Sequence, residues 1–138
     1  RDLVRSRGLG DVYKRQVVAW QKAYKFTLMV YKIANTFPEC ERFGLSSQFK
    51  RAAVSIPANI AEGYKKLSKA DKLRFYNIAQ GSIEECRCYV YLSKDLGYVG
   101  AEAFSELMGA LSDASRLLNA YCKGVINNGY ADDSQKGY

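Results

Sequence analysis

Between residues 50 and 74 the chain places seven cations, Lys50, Arg51, Lys65, Lys66, Lys69, Lys72 and Arg74, against two carboxylates, Glu62 and Asp71. Lysine and arginine at this density are the groups that neutralise a phosphate backbone, and Tyr64 and Tyr76 among them offer rings on which bases stack. The same pattern is also what a solvated charged face looks like. The local excess of +5 compares with +7 for the whole chain, of which residues 1–16 supply +3, so +4 remains for the rest.

A second polar group is Ser55, Asn59 and Glu62, set around Pro57 and followed by Gly63. Proline withholds an amide from the carbonyl four residues back, at Ala53, and the Asn59 side chain is a candidate to satisfy it. Arg51 lies eleven residues before Glu62, near the same helical face. Assembly and packing account for this segment better than catalysis does. Glu84 and Glu85 are adjacent, so they share no face for two-carboxylate or metal chemistry.

The chain has no histidine, which excludes a Ser-His or Cys-His nucleophile, a His-ligated zinc and a Glu-x-x-His di-iron site. Cys40, Cys86, Cys88 and Cys122 form no Cys-x-x-Cys pair, and the two-residue step from Cys86 to Cys88 turns them apart on a helix. No metal, no cofactor and no enzymatic activity is expected. Reduced thiols, no apolar run of membrane-spanning length and no apolar secretory core lead to the expectation of a cytoplasmic protein without a membrane partner.

These residues need elements to position them. At 138 residues and 48% apolar composition the chain fits one globular domain. Residues 1–16 carry two glycines and no usable hydrophobic period; they read as an unpacked extension, and they resemble a translated adapter or vector tract. A first helix is predicted over 18–36, with Trp20, Tyr24, Thr27, Tyr31 and Ala34 on its stripe, widened by Ala23, Leu28 and Val30, and Phe37-Pro38 stopping it. A second follows Gly44, with Leu45, Phe49, Ala52, Ala53, Ile56 and Ile60 facing inward, Ser46 or Ser47 as its cap, and a kink rather than a break at Pro57. A third is predicted over 69–96, opened by Ser68 with Asp71 three residues on and closed by Gly97. Its inner face carries Lys72, Tyr76, Ala79, Ile83, Cys86, Val90 and Ser93. The fourth, over 100–126, turns Phe104, Leu107, Leu111, Ala114, Leu118, Tyr121 and Val125 inward.

The economical architecture is all-α: an up-down-up-down antiparallel four-helix bundle over 17–127, with a polar tail over 128–138. Eleven tyrosines exceed what one such core needs, and Tyr89, Tyr91 and Tyr98 are expected at contacts between subunits.

Three strings are more specific than generic bundle sequence: Trp20-Gln21-Lys22-Ala23; Phe37-Pro38 with Glu41 and Gly44-Leu45; and the run from Gln48 to Gly63, QFKRAAVSIPANIAEG. With Phe75, Ile78-Ala79, Gly81-Ser82 and Glu85 they closely resemble the bacterial four-helix-bundle family named for the 23S ribosomal RNA intervening sequence protein, over about residues 17–122. Lys50 stands where an arginine is more usual there, and Cys86 where an aliphatic is. The resemblance implies a homopentameric barrel of bundles, no enzymatic activity and no catalytic residues to carry over. Accessory variability proteins of diversity-generating retroelements look like this family in fold, which implies nucleic acid, above all structured RNA, and a reverse transcriptase as candidate partners. Trp20, Ser55, Pro57, Asn59, Glu62 and Gly63 then read as motif or subunit-packing residues, and the cations from Lys50 to Arg74 as the nucleic-acid surface.

Overall fold

The computed structural model describes residues 3–129, with side chains described for residues 16–127. Residues 130–138 of the expected tail therefore lie outside the described residues. Four helices build the fold: α1 (Leu3–Ala34), α2 (Leu45–Lys65), α3 (Lys69–Asp95) and α4 (Ala101–Gly124). A single 3-10 turn, Glu39–Glu41, precedes α2, and a π-helical turn, Val125–Gly129, follows α4. There is no strand among the described residues. Each helix packs on two others, α1 against α2 and α4, and α3 against α2 and α4, so the four close around one core as a four-helix bundle.

α2, α3 and α4 bury nearly all of the predicted inner faces, from Leu45 to Ile60, from Lys72 to Ser93 and from Leu107 to Val125. Phe104 differs only in being half-buried against that core. α1 differs more. It starts at Leu3 rather than at residue 18, and it turns Gln16, Ala19, Ala23, Phe26, Thr27, Val30 and Ala34 inward. Tyr24, Leu28 and Tyr31, predicted for the stripe, are exposed by 47%, 55% and 43%. The helix brings alanines to its neighbours, where close approach needs small side chains, and leaves its large aromatics on the outer face. Trp20 lies between these two faces, half-buried and stacked on Tyr24 at 5.0 Å between ring centroids.

Pro57 sits inside a continuous α2. The carbonyl it deprives, that of Ala53, is satisfied from another helix: the Thr27 hydroxyl of α1 lies 3.0 Å from it, and 2.9 Å from the carbonyl of Ala23. The Ala23 carbonyl already has the amide of its own helix, so the hydroxyl matters at Ala53, where no amide exists. Asn59, the candidate named for this task, bonds elsewhere: its amide donates to the carbonyl and hydroxyl of Ser55, at 2.8 and 2.9 Å.

The helix ends follow local chemistry. Ser68 caps α3 by accepting from the Asp71 amide at 3.1 Å. Gly97, at φ 79°, closes it in a Schellman motif, with the Gly97 amide on the Lys94 carbonyl and the Tyr98 amide on the Ser93 carbonyl. The N-terminus of α2 is capped neither by Ser46 nor by Ser47. Its Ncap is Gly44, and the free amide of Leu45 is taken at 3.0 Å by the carboxylate of Glu41. Ser46 is instead buried and reaches the Ala34 carbonyl. The second oxygen of Glu41 accepts from the Tyr98 hydroxyl at 2.7 Å, tying the entry of α2 to the exit of α3. The tyrosine and the Leu45 amide hold the Glu41 carboxyl below its ordinary 4.5, and the same bond, with burial, pushes Tyr98 up to about 12.

Two outcomes follow. Thr27→Val keeps the shape but orphans the Ala53 carbonyl, and should lower unfolding free energy by about 1–3 kcal/mol in denaturant titrations; Thr27→Ser should recover most of it, and a valine variant as stable as wild type would contradict the bridge. The Glu41–Tyr98 bond stabilises the fold above the ordinary carboxylate range and loses this as pH falls through the lowered Glu41 value. At the alkaline limb it is present below the ordinary tyrosine value of 10.0 and lost as pH rises toward about 12. Tyr98→Phe should therefore be less stable than wild type at neutral pH and converge toward it at both extremes; parallel pH profiles would contradict this.

Candidate nucleic-acid interface

The cations of residues 50–74 divide between two places. Lys50 and Lys65 are fifteen residues apart on one helix, roughly 22 Å along its axis. Lys50 belongs to the far end, bonded to Asn35 at 3.3 Å and lying over the ring of Tyr31, and the exposed Arg51 is next to it. The expected single patch therefore reduces to Lys65, Lys66, Lys69, Lys72 and Arg74 at the α2–α3 turn.

Within that turn the five have different tasks. Lys72 is 4% exposed, and its ammonium donates to the carbonyl of Tyr64 at 2.8 Å and approaches that of Gly63 at 3.5 Å. It thus caps the C-terminus of α2, where a cation also meets the negative end of the helix dipole, and burial pulls its pKa below 10.5. Lys72 is a structural cation rather than a phosphate contact, which corrects the expectation for it. Lys69 reaches over to the π-helical turn that follows α4, donating to the Ile126 carbonyl at 3.2 Å. Lys65 is exposed. Lys66 and Arg74 both lie over the ring of half-buried Phe75, at 4.9 and 4.6 Å from its centroid. Their carboxylate partners are distant and exposed: Glu62 at 3.9 Å from Lys66 and Asp71 at 4.0 Å from Arg74. Pairs of that kind hold their cations weakly.

The aromatic expectation also changes. Tyr76 is fully buried, its hydroxyl 2.9 Å from that of Tyr121 and its ring edge-on to it at 4.9 Å, so it meets no base. Tyr64, 36% exposed, and Phe75 are the rings this turn presents. The position of Tyr76 also explains Gly63: a Cβ there would come within 2.5 Å of the tyrosine ring, so α2 can lie against Tyr76 only with glycine at that point.

Ser55 and Asn59 form a polar bridge between helices, with the Ser82 hydroxyl of α3 donating to that of Ser55 at 2.8 Å. Glu62 is exposed and directed to Lys66 rather than Arg51. Buried thiols are suppressed as nucleophiles: burial, with Glu85 adding to it, pushes Cys86 up to about 12, and burial alone pushes Cys122 up to about 11. No group of three His, Cys, Asp or Glu side chains able to hold a metal occurs among the described residues. No helix there is long and apolar enough to cross a membrane.

Residues 15–120 match the model of the 23S rRNA-intervening sequence protein family. The chain belongs to this family. The fold agrees with it: a crystal structure from Bacteroides thetaiotaomicron, of a protein with unknown function from the S23 ribosomal protein family, superposes with a TM-score of 0.74 at 24% identity, covering 79% of this chain and 98% of that one. No curated protein matches the sequence. Membership thus covers most of the bundle, from residue 15 to residue 120 within α4, and includes both the Thr27–Ala53 bridge and the turn around Phe75.

One set of polar groups escaped the sequence reading. Ser112, Ser115, Arg116, Asn119 and Lys123 line an open groove on α4 together with Arg87 of α3. Their spacing of three, one, three and four residues places them on one helical face, opposite the apolar stripe, and that period was the available signal.

Proposed function

We propose that this protein is a non-enzymatic, homo-oligomeric nucleic-acid-binding protein that engages structured RNA at its α2–α3 turn. The observation that carries the reading is the Phe75 ring held beneath the cations of Lys66 and Arg74, with Lys65 and Tyr64 exposed at the same turn. Cations supply affinity for phosphates, and as Lys66 and Arg74 turn from the Phe75 ring to phosphates the ring face they cover opens to an unpaired base. The family's own name associates it with ribosomal RNA.

An up-down-up-down antiparallel order is part of the same reading. Glu41 before α2 meets Tyr98 after α3, and Lys69 at the start of α3 meets Ile126 beyond α4. Oligomerisation draws support from the outer face of α1, where Tyr24, Leu28 and Tyr31 are exposed one turn apart. A homopentamer is the assembly we propose for that face, with five turns adding their fields around a ring.

The test is binding to a structured RNA across a salt series, with oligomer mass measured in parallel. Wild type should bind with a steep negative salt slope. Lys65→Glu, Lys66→Glu and Arg74→Glu combined should remove about two to three units of that slope and leave the mass unchanged. No wild-type binding at about 50 mM salt would overturn the RNA reading and direct the search to protein partners, a reverse transcriptase among them.

A further inference from the structure

Two open grooves run along the seam between α3 and α4 and share Asn119. The first, about 550 Å³, is lined by Arg87, Ser112, Ser115, Arg116, Asn119 and Lys123. The second, about 470 Å³, continues past Asn77 and Gln80 to Arg74, at the edge of the α2–α3 turn, with Ile126 on its wall. The carbonyl of Ile126 is the one held by Lys69. The seam therefore joins the turn to a second group of cations with hydroxyl and amide side chains between.

The chemistry of the first groove is that of a phosphate-diester track, whereas the second carries Leu73, Tyr76, Cys122 and Ile126 beside its polar groups. Arg87 meets Glu84 through two nitrogens, at 3.2 and 3.4 Å, and Arg116 meets Asp113 at 3.3 Å. Both pairs are three residues apart on a helix surface; Arg116 and Glu84 are exposed, Arg87 and Asp113 half-buried. The single contact of Arg116 contributes little, the Arg87 fork more, and a phosphate accepts the same forked guanidinium bonds. Lys123 is exposed, and no carboxylate lies within 4.0 Å of its ammonium among the described residues. Gln80 donates to the Asn119 oxygen at 2.7 Å, which leaves the Asn119 N–H groups for a ligand's acceptors.

We infer that the α3–α4 seam binds the sugar-phosphate backbone of a single polynucleotide strand leading away from the α2–α3 turn. The inference rests on the nucleic-acid reading and extends its footprint. Arg74 and Arg87 are thirteen residues apart on α3, roughly 20 Å, which matches about six nucleotides at a stacked rise of about 3.4 Å. A furrow between two helices packed about 8–10 Å apart receives a strand and not the body of a duplex.

The experiment compares wild type, Arg87→Gln/Arg116→Gln/Lys123→Gln and the turn variant Lys65→Glu/Lys66→Glu/Arg74→Glu for binding a structured RNA hairpin with a single-stranded extension. Circular dichroism and oligomer mass accompany each. Loss of about two units of salt slope and about tenfold or more in affinity is expected for the glutamine variant, with unchanged helicity and mass. In wild type, the side-chain nitrogen signals of Arg87 and Asn119 should shift on adding the strand. Wild-type affinity in the glutamine variant, with the turn variant weakened and those signals still, would overturn the seam and leave the turn reading standing. A changed oligomer mass would make the seam a subunit contact and also overturn it. Failure of wild type to bind would overturn the turn reading and the seam together.

Discussion

The carbonyl of Ala53 is the constraint on which the rest of the bundle depends. Pro57 removes its helical partner, the surrounding core admits no water-exposed alternative, and a buried carbonyl left alone costs more than an ordinary hydrogen bond contributes. The Thr27 hydroxyl resolves this from α1. A bond between side chain and backbone at mid-helix fixes how far α1 can slide or rotate along α2, and so determines that Ala23, Phe26 and Val30 turn inward. The aromatics of α1 must then face out.

The same logic governs the end of the bundle at which we propose that RNA binds. Gly63 lets the Tyr76 ring lie against α2, Tyr76 meets Tyr121 across α3 and α4, and buried Lys72 closes the carbonyls that end α2. Lys72 and Lys69 are occupied with the bundle's own carbonyls. That leaves Lys65, Lys66 and Arg74 as the cations the turn presents, the last two over the ring of Phe75. Charge becomes informative only after the structural cations have been separated from the displayed ones.

Much of the fold was legible in the sequence. α2, α3 and α4 have apolar residues at helical spacing with polar residues elsewhere, so their buried faces follow from period alone, and Ser68 and Gly97 mark the two ends of α3 by chemistry specific to caps. α1 was legible in part: Ala23, Thr27, Val30 and Ala34 lie on its predicted stripe and are buried, whereas Tyr24, Leu28 and Tyr31 are not. Size suggested Tyr24 and Tyr31 for the core, whereas close helix approach selects alanine, and Thr27 is buried for a bond whose need arises in another helix. The Glu41 cap on α2 was equally hidden, since its carboxylate acts across the 3-10 turn and is held by Tyr98, fifty-seven residues away. For the candidate site, sequence proximity joined Lys50 to Lys65 although a helix separates them, and burial of Lys72 is a tertiary fact. The seam groups of α4 share a helical period, but Arg87 and Gln80 belong to α3, which only packing brings beside them.

The central claim is that RNA meets the protein at the α2–α3 turn, with bases against the rings displayed there. Photocrosslinking with an oligoribonucleotide carrying 4-thiouridine, read by mass spectrometry, tests it directly because it reports the residue touched. The account predicts crosslinks at Phe75 or Tyr64; crosslinks confined to Tyr24 and Tyr31 on the outer face of α1 would contradict it.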